Sequence, residues 1–372
     1  MLSERFGVEV ELAGLSLDAA REAVHTRLAG GYDRLGRVWR VELDGSVPDG
    51  FELISPPLHF DDLPLLQEIF RRLRQAGAHS ASGAGVHVHV DAGTLSAAQI
   101  TSLINLYSSH SRLLLQMLDV DSGRRLLYCQ PIERFAETLA TRKPTTMEQL
   151  KHIWYQVADA LDEEVTRFNS SRYTELNLNS LFVRNTVEFR AFRSTNHAGK
   201  LKSFAILALA FVAHARSYAG VYPLQPVVIA DETSARQAAA DLFELLGLSG
   251  SDFKNTRQHF LSAIAQHHHR RSERGSSRLS FAALGMSFEG GSYADLLDEI
   301  WDSGFFNNGQ LDDFLTRIRK RRWSLTEKPW IAQTSMPVDD YDRYSKRVLQ
   351  LFERYGIGQI TYETPEASAT AP

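Results

Sequence analysis

The sequence predicts an α+β fold in which short strands alternate with helices. Residues 5–12 and 86–90 alternate apolar and polar side chains with a period of two, which is typical of half-buried strands. Residues 18–29 and 61–75 have the length and end signals of helices. After the Pro-containing segment at residues 222–226, the patterns become mainly helical. A change of this kind indicates two regions of different structure.

We therefore divide the 372-residue chain into three parts. Residues 1–225 are predicted to form an α+β domain, and residues 226–363 a mainly helical extension. Residues 364–372 are rich in Ala, Thr and Pro and are predicted to be a disordered tail.

The remaining predicted elements follow in chain order. In the first domain they are strands at 38–43 and 51–54, a helix from Ser96 to about Leu118, a hairpin of 176–182 with 186–192, and a helix at 200–218. In the extension they are helices at 234–246, 256–266, 293–302, 309–320 and 339–355.

The composition excludes several classes of partner. Hydrophobic residues make up 43% and charged residues 23%, as in an average globular protein, and the net charge of −4 gives no reason to expect nucleic acid or an anionic membrane. No stretch reaches the roughly 18 consecutive apolar residues of a membrane span, and residues 204–213 indicate a buried helix instead. The N-terminus has no signal-peptide pattern, and the single cysteine, Cys129, fits a reducing compartment. We therefore expect a cytoplasmic protein with neither nucleic-acid nor membrane partners.

Four predicted strands carry polar side chains on one face and apolar side chains on the other. Side chains i and i+2 of a strand point the same way, so each polar set stands opposite Val, Leu, Phe or Ala. The polar residues are Glu9 and Glu11, Glu52, His87 and His89, and Glu188 with Arg190. If these strands share one sheet, their polar faces form a single site.

Such a site needs cations. Four carboxylates on one face repel each other, and burying them without partners is costly. Arg190 alone is not enough to neutralise them. Oxygen-rich ligand sets with one or two imidazoles suit hard ions, which favours Mg²⁺ or Mn²⁺ over zinc. These ions, together with an arginine, suit polyphosphate chemistry. The chain has neither a GxxxxGK[ST] loop nor a GxGxxG turn, so a nucleotide would be held by the metals and the sheet residues.

Each strand by itself also has a simpler interpretation. A charged pair on one strand face is usually solvated, and a histidine pair is as often a surface or satisfied core pair. A Glu-x-Arg strand often provides only a cross-strand salt bridge. Four such segments within one half of the chain favour a functional site over these alternatives.

These motifs resemble those of the carboxylate–amine ligases related to glutamine synthetase and glutamate–cysteine ligase, and most closely the amidoligase branch. The matching segments are residues 6–11, 44–46 with 52–57, 83–90 and 186–190, in the order of the family. They cover residues 6 to about 200, and the region after about residue 225 matches nothing in the family. The resemblance implies a glutamine-synthetase-like curved antiparallel sheet with flanking helices.

The resemblance also implies residue roles. The implied metal ligands are Glu9, Glu11, Glu52, His87 and Glu188. The implied catalytic residues are Arg190, His89 and Arg172, and which of the two histidines binds metal stays open. The implied nucleotide-phosphate ligands are Arg190, Arg172 and Arg193. Arg193 is a weaker candidate than the other two, and Asn177 is a further weak candidate of the same kind. Asp44 matches either an acidic site position or an ordinary turn residue.

The implied activity is an ATP-dependent ligase that joins a carboxylate to an amine through an acyl-phosphate, with Mg²⁺ or Mn²⁺. Its substrates would be a small-molecule or peptide carboxylate and amine. Two alternatives remain open at this point, a metal-dependent amide hydrolase and a catalytically inactive binding relative. The arginine beside the carboxylates weighs against the hydrolase, and mutually repelling carboxylates weigh against an inactive protein. The sequence leaves the oligomeric state open.

Overall fold

A computed structural model provides the fold of this chain. It describes residues 2–25, 33, 35–44, 47, 50–81, 84–120, 128–273, 278–283, 286–290, 296, 299–300, 346, 349–350, 353 and 359–363. The chain divides into two compact units, Met1–Ala265 and Gln266–Pro372. The first unit therefore extends 40 residues past the boundary predicted at residue 225 (265 − 225 = 40).

The first unit is built on a six-stranded antiparallel sheet, which confirms the predicted α+β class. The spatial order of the strands is β2-β3-β1-β4-β6-β5, so β1 and β4 lie at its centre. The strands are β1, Phe6–Leu12; β2, Arg40–Asp44; β3, Gly50–Ile54; β4, Gly85–Asp91; β5, Leu176–Asn177; and β6, Thr186–Arg193.

Helices fill the rest of the described part of this unit. They are α1, Leu17–His25; α2, Leu63–Ala76; α3, Ala97–Ser109; α4, Ser111–Leu118; α5, Glu133–Arg142; α6, Met147–Val157; α7, Asn179–Arg184; α8, Ala198–Ser217; and α9, Glu232–Leu245. Helix α10, Lys254–Glu273, begins in the first unit and ends in the second. Short 3-10 helices lie at Phe60–Asp62, Ser170–Arg172 and Ser251–Phe253.

One face of the sheet packs against helices, as the alternating patterns predicted. Five valines of the two central strands are at most 1% exposed: Val8, Val10, Val86, Val88 and Val90. Helix α8 packs on both of these strands and also on α2 and α3. This arrangement leaves the opposite face of the sheet for the polar side chains.

Helix α8 is the centre of the helical layer. Residues 204–212 are all buried, and Phe204 stacks on Phe192 of β6 with ring centroids 4.6 Å apart. Among the described residues, this is the helix long and apolar enough to cross a membrane by length and composition. Since 72% of its most apolar 18-residue window is buried inside the protein, it has the surroundings of a core helix.

The predicted helix from Ser96 to Leu118 is two helices. It begins as expected, because the Ser96 hydroxyl accepts a hydrogen bond from the Gln99 amide in a capping box. It breaks at His110 because the Ser109 carbonyl accepts its hydrogen bond from the Val227 amide, at 2.7 Å. A loop far along the chain thus replaces the helical partner of this carbonyl.

The predicted hairpin of residues 176–182 with 186–192 is wrong in its first strand. Strand β5 has only two residues, because the Asn177 side chain accepts a hydrogen bond from the Asn179 amide at 2.8 Å and turns the chain into α7. Asn185, with φ of 60°, ends this helix and returns the chain to β6. The period-two pattern of residues 176–180 therefore comes from polar residues that are buried in a turn.

The second unit contains strands that the sequence did not predict. Its described residues include a three-stranded antiparallel sheet of order β8-β7-β9. The strands are β7, Arg278–Ala283; β8, Met286–Gly290; and β9, Gln359–Glu363. The pairing of β7 with β9 joins segments far apart in sequence, which local patterns do not signal. The predicted tail 364–372, the predicted helix 309–320 and most of those at 293–302 and 339–355 lie outside the described residues.

An arginine held by two carboxylates fixes the chain just before β2. The guanidinium of Arg37 donates to Asp33 at 2.7 Å and, with two nitrogens, to Asp62 at 2.7 and 2.8 Å. The Asp33 side chain is fully buried, and that of Arg37 is 19% exposed. Burial alone would raise the pKa of Asp33, but the hydrogen bonds from Arg37 and Leu35 outweigh it and lower that pKa. The pKa of Asp62 is lowered chiefly by its hydrogen bonds with Arg37.

We expect Arg37→Ala to lower the free energy of unfolding at pH 7 by about 2–4 kcal/mol, because it leaves the buried Asp33 carboxylate without its cation. Both aspartates have lowered pKa values, so their contribution is present above about pH 4 and is lost as the pH falls through those values. The difference between wild type and variant should therefore shrink from pH 7 to pH 3, as measured by urea denaturation.

The control is Arg40→Ala, which removes an exposed ion pair with Glu42 (side chains 57% and 49% exposed) and should change stability by less than about 1 kcal/mol. Equal losses for the two variants would contradict a special role for Arg37.

Candidate functional site

The strand register brings the predicted polar residues together. Across β1 and β4, Glu9 lies opposite His87, and across β4 and β6, His89 lies opposite Glu188. Across β1 and β3, Glu11 lies opposite Glu52. All of these residues stand on the sheet face opposite α8, because their apolar neighbours on the same strands are buried against the helices. We call this group of six residues the acidic cluster.

His87 lies at the centre of the acidic cluster. Its Nδ1 is 3.4 Å from Glu9 Oε2 and 3.6 Å from Glu188 Oε1, and its Nε2 is 3.6 Å from Glu11 Oε1. The side chain is 6% exposed, so these contacts are made out of bulk solvent. One imidazole therefore lies within 4 Å of three carboxylates, two from β1 and one from β6.

The backbone also holds one of these carboxylates. Glu11 Oε2 accepts a hydrogen bond from the Gly85 amide at 2.6 Å, and the Glu11 carbonyl accepts one from the Ser194 hydroxyl at 2.6 Å. The first bond fixes the carboxylate against the start of β4, and the second fixes its strand against the end of β6. Glu11 is accordingly buried, at 8% exposure.

His89 is oriented by two hydroxyl groups. Its Nδ1 lies 3.2 Å from Thr186 Oγ1 and 3.3 Å from Ser180 Oγ, which leaves Nε2 facing Glu9 Oε1 at 3.5 Å and Glu188 Oε1 at 3.9 Å. Nε2 is buried and has no hydrogen-bond partner. Burial alone would lower the pKa of His89, but the charges of Glu188 and Glu9 outweigh it and raise that pKa.

Glu188 is an ionised carboxylate in a buried position. It is 4% exposed, accepts a hydrogen bond from Asn177 Nδ2 at 2.6 Å, and forms an ion pair with Arg190. Burial alone would raise the pKa of Glu188, but Arg190 and then the two histidines outweigh it and lower that pKa to about 2. Glu188 is therefore negatively charged at any physiological pH.

Glu9 is the carboxylate of β1 that contacts both histidines. Burial alone would raise its pKa, but His87 and His89 hold that pKa well below its usual value. Arg184, at the end of α7, brings Nη1 to 3.5 Å from Glu9 Oε1. Glu9 thus contacts both histidines and an arginine while its side chain keeps 23% exposure.

A β-bulge places Arg190 beside the cluster. Val88 pairs with Phe189 and Val86 with Phe192, so two residues of β6 oppose the single residue His87. The bulge is held by the backbone, since the Arg190 amide donates to the Glu175 carbonyl at 2.8 Å and the Arg190 carbonyl accepts from Cys129 Sγ at 3.0 Å. Phe189 and Phe192 both stay buried, while the Arg190 side chain reaches Glu188.

The other two predicted arginines lie at the edge of the cluster. Arg172 contacts Tyr173, with Cζ 4.7 Å from the ring centroid, and Arg190 lies 5.9 Å from the same centroid. Tyr173 thus links Arg172 to the cluster. Arg193, the last residue of β6, is paired across the sheet with Gly85, is half exposed, and lies 3.4 Å from Asp119.

Sequence reasoning missed three residues at the site and gave a fourth little weight. Arg184, Ser180 and Thr186 were not predicted, and Asn177 was a weak candidate. All four lie in or next to the turn and helix that replace the predicted strand 178–182. The available signal in the sequence was the motif Asn177-Leu178-Asn179-Ser180, whose Asn and Ser residues favour a turn over a strand. The side chain of Asp44 lies outside the described residues.

The cluster has the donor set of a metal centre. In each of two groups, Glu9-His89-Glu188 and Glu9-Glu52-His87, one potential ligand atom per residue lies within 4.8 Å of the others. Glu9 belongs to both groups. The carboxylate-rich set suits hard divalent ions, and the buried Nε2 of His89 has no hydrogen-bond partner among the described residues. The residues present therefore fit Mg²⁺ or Mn²⁺.

The fold and site together define an α+β protein with an acidic, imidazole-bearing centre on the open face of an antiparallel sheet. A family model described as "Putative amidoligase enzyme" matches residues 2–212. This span covers more than half of the chain, including the whole six-stranded sheet, and the chain belongs to this amidoligase family. Membership indicates a ligase. No curated protein matches the chain.

Because Glu9 belongs to both groups, we expect Glu9→Gln to weaken Mn²⁺ binding at two sites, by about 10-fold or more at each. Glu52→Gln should weaken only one of them. The measurement is Mn²⁺ titration followed by electron paramagnetic resonance, which counts bound ions without requiring activity.

The matched control is Glu42→Gln, an exposed glutamate that pairs with Glu52 across β2 and β3 but belongs to neither group. Unchanged Mn²⁺ binding by Glu9→Gln would rule out the shared-ligand assignment.

Proposed function

We propose that this protein is an ATP-dependent carboxylate–amine ligase that uses Mg²⁺ or Mn²⁺ and acts through an acyl-phosphate. The observation that carries the proposal is the placement of Arg190 within the acidic cluster, in an ion pair with Glu188. Divalent ions and a guanidinium on one surface suit the transfer of a phosphoryl group, whose oxygens need several cations at once. The proposed localisation is cytoplasmic.

A second arginine supports a phosphate-binding role. Arg172 and Arg190 both lie against the ring of Tyr173, with Cζ atoms 4.7 and 5.9 Å from its centroid. The side chain of Arg190 is mostly buried, at 11% exposure, and the Glu188 charge raises its pKa against the opposing effect of burial. Two arginines beside the same tyrosine would bind a polyphosphate by charge-assisted hydrogen bonds. Arg193 would contact the phosphates only from the edge.

The metal ligands would be Glu9, Glu11, Glu52, His87 and Glu188. When bound, divalent ions would neutralise these carboxylates and polarise the phosphate oxygens. The protein's own residues have the remaining tasks. Arg190 would bind the γ-phosphoryl group and stabilise the charge that develops during its transfer. The hydroxyls of Ser180 and Thr186 would keep the His89 ring oriented, and the buried strands would hold the other side chains in place.

The proposed reaction has two steps. An oxygen of the substrate carboxylate attacks the γ-phosphorus of ATP, the bond from that phosphorus to the ADP oxygen breaks, and an acyl-phosphate forms. The amine nitrogen then attacks the acyl carbon and the bond to phosphate breaks, which gives the amide and inorganic phosphate. His89 Nε2 would accept the proton that the amine loses. The substrates are small-molecule or peptide carboxylates and amines.

The test is calorimetric titration with a non-hydrolysable ATP analogue. We expect a Mg²⁺-dependent binding event that is absent in EDTA and is lost in Glu188→Ala, because that variant removes a metal ligand and the partner of Arg190. Glu42→Ala, at an exposed position on the edge strand β2, should bind as the wild type does. Carboxylate and amine pairs would then be screened for phosphate release.

A folded, Mg²⁺-loaded protein that binds no nucleotide would refute the ligase proposal. Hydrolysis of amides by that protein without nucleotide would identify the metal-dependent amide hydrolase instead.

The role of His89 has its own test. We expect His89→Gln to lower kcat by about 10²-fold or more, because it removes the proton acceptor, while Mn²⁺ affinity at the Glu9-Glu52-His87 group stays unchanged. Titration with Mn²⁺ separates this role from metal binding. A parallel fall in Mn²⁺ affinity would show that His89 is a ligand of the Glu9-His89-Glu188 group.

A further inference from the structure

A second polar cavity lies in the helical layer, where α8 begins beside α2 and the start of α10. Its volume is about 410 Å³, which is within the range of small-molecule sites. The charged and ionisable lining residues are Arg71, Arg74, Lys202, His197, His259 and Asp252. None of the acidic-cluster residues lines it. The two sites belong to opposite sides of the sheet, because α8 packs on the face that carries the valines.

The cavity has an excess of positive charge. Three permanent cations and two imidazoles line it against one carboxylate. Among the described residues, Arg71, Arg74 and Lys202 form no ion pair, whereas Arg37, Arg190 and Arg216 do. Three like charges around one concave space repel each other and favour a bound anion.

The two histidines lie over the first turn of α8. His197 Nδ1 accepts the hydrogen bond of the Lys200 amide at 3.2 Å, and the rings of His197 and His259 lie 5.3 Å apart. A Cβ at Gly199 would lie within 2.9 Å of both rings, so only glycine lets them approach this closely. Burial, and then the positive charges of His197 and Lys200, lower the pKa of His259. This direction agrees with a positive field in the cavity.

We propose that this cavity binds a phosphate-bearing small molecule, at a site separate from the acidic cluster. Arg71 and Arg74 lie one helical turn apart on α2, and Lys202 faces the same cavity from α8. A phosphate group can accept hydrogen bonds from several such donors, and its charge close to −2 at neutral pH matches them better than a single carboxylate does. The assignment does not depend on the proposed ligase reaction.

The experiment is calorimetric titration of the full chain with pyrophosphate, in buffer freed of divalent ions on a chelating resin. Without metal the acidic cluster repels the anion, so binding reports on the cavity. We expect saturable binding that Arg71→Ala/Arg74→Ala weakens about tenfold or more, because charge-assisted hydrogen bonds are lost. Both arginines are exposed, so the variant should fold.

The control is Arg112→Ala/Arg236→Ala, which removes the same net charge from exposed positions outside the cavity and should bind as the wild type does. Equal weakening by both double variants, or no binding by the wild type, would overturn the proposal. Citrate binding as tight as that of pyrophosphate and lost in the same variant would overturn the assignment to phosphate. Weaker binding of inorganic phosphate, lost in the same variant, would support it.

Discussion

The main physical constraint on this structure is the mutual repulsion of the carboxylates that lie on one face of the sheet. Glu9, Glu11, Glu52 and Glu188 come from β1, β3 and β6 and are brought together by the backbone pairing. Crowded carboxylates would normally become protonated, yet burial of Glu188 is outweighed and its pKa is about 2. Cations and hydrogen-bond donors must therefore lie close to these carboxylates. The other features of the site provide these groups.

The neighbouring segments supply those groups. Strand β5 is only two residues long, but it carries Asn177, which donates to Glu188. The bulge in β6 brings Arg190 to the same carboxylate without exposing Phe192. The amide of Gly85 donates a hydrogen bond to the Glu11 carboxylate. Irregular parts of the backbone thus provide the donors that a regular sheet, with its amides already paired, does not offer.

The same face could be predicted from the sequence because of strand periodicity. Since side chains alternate, Glu9 with Glu11 and His87 with His89 had to share a face wherever their valine neighbours were buried. The register could not be predicted, because nothing in either strand specifies that Glu9 lies opposite His87. The bulge at Arg190 could not be predicted either, because its extra residue is recognised only when the strand is compared with its partner strand. In the second unit, the pairing of β9 with β7 could not be predicted, because the two strands are far apart in sequence.

Charge is distributed unevenly within the first unit, which the net charge of −4 conceals. The open face of the sheet gathers carboxylates, and the cavity beside α8 gathers arginine, lysine and histidine. Exposed charges act over about 8 Å at physiological salt, so each site responds to its own residues rather than to the average of the chain. A net charge of −4 therefore does not argue against a small anion site. The overall composition restricts which macromolecules a protein binds, whereas local geometry determines which small ligands it binds.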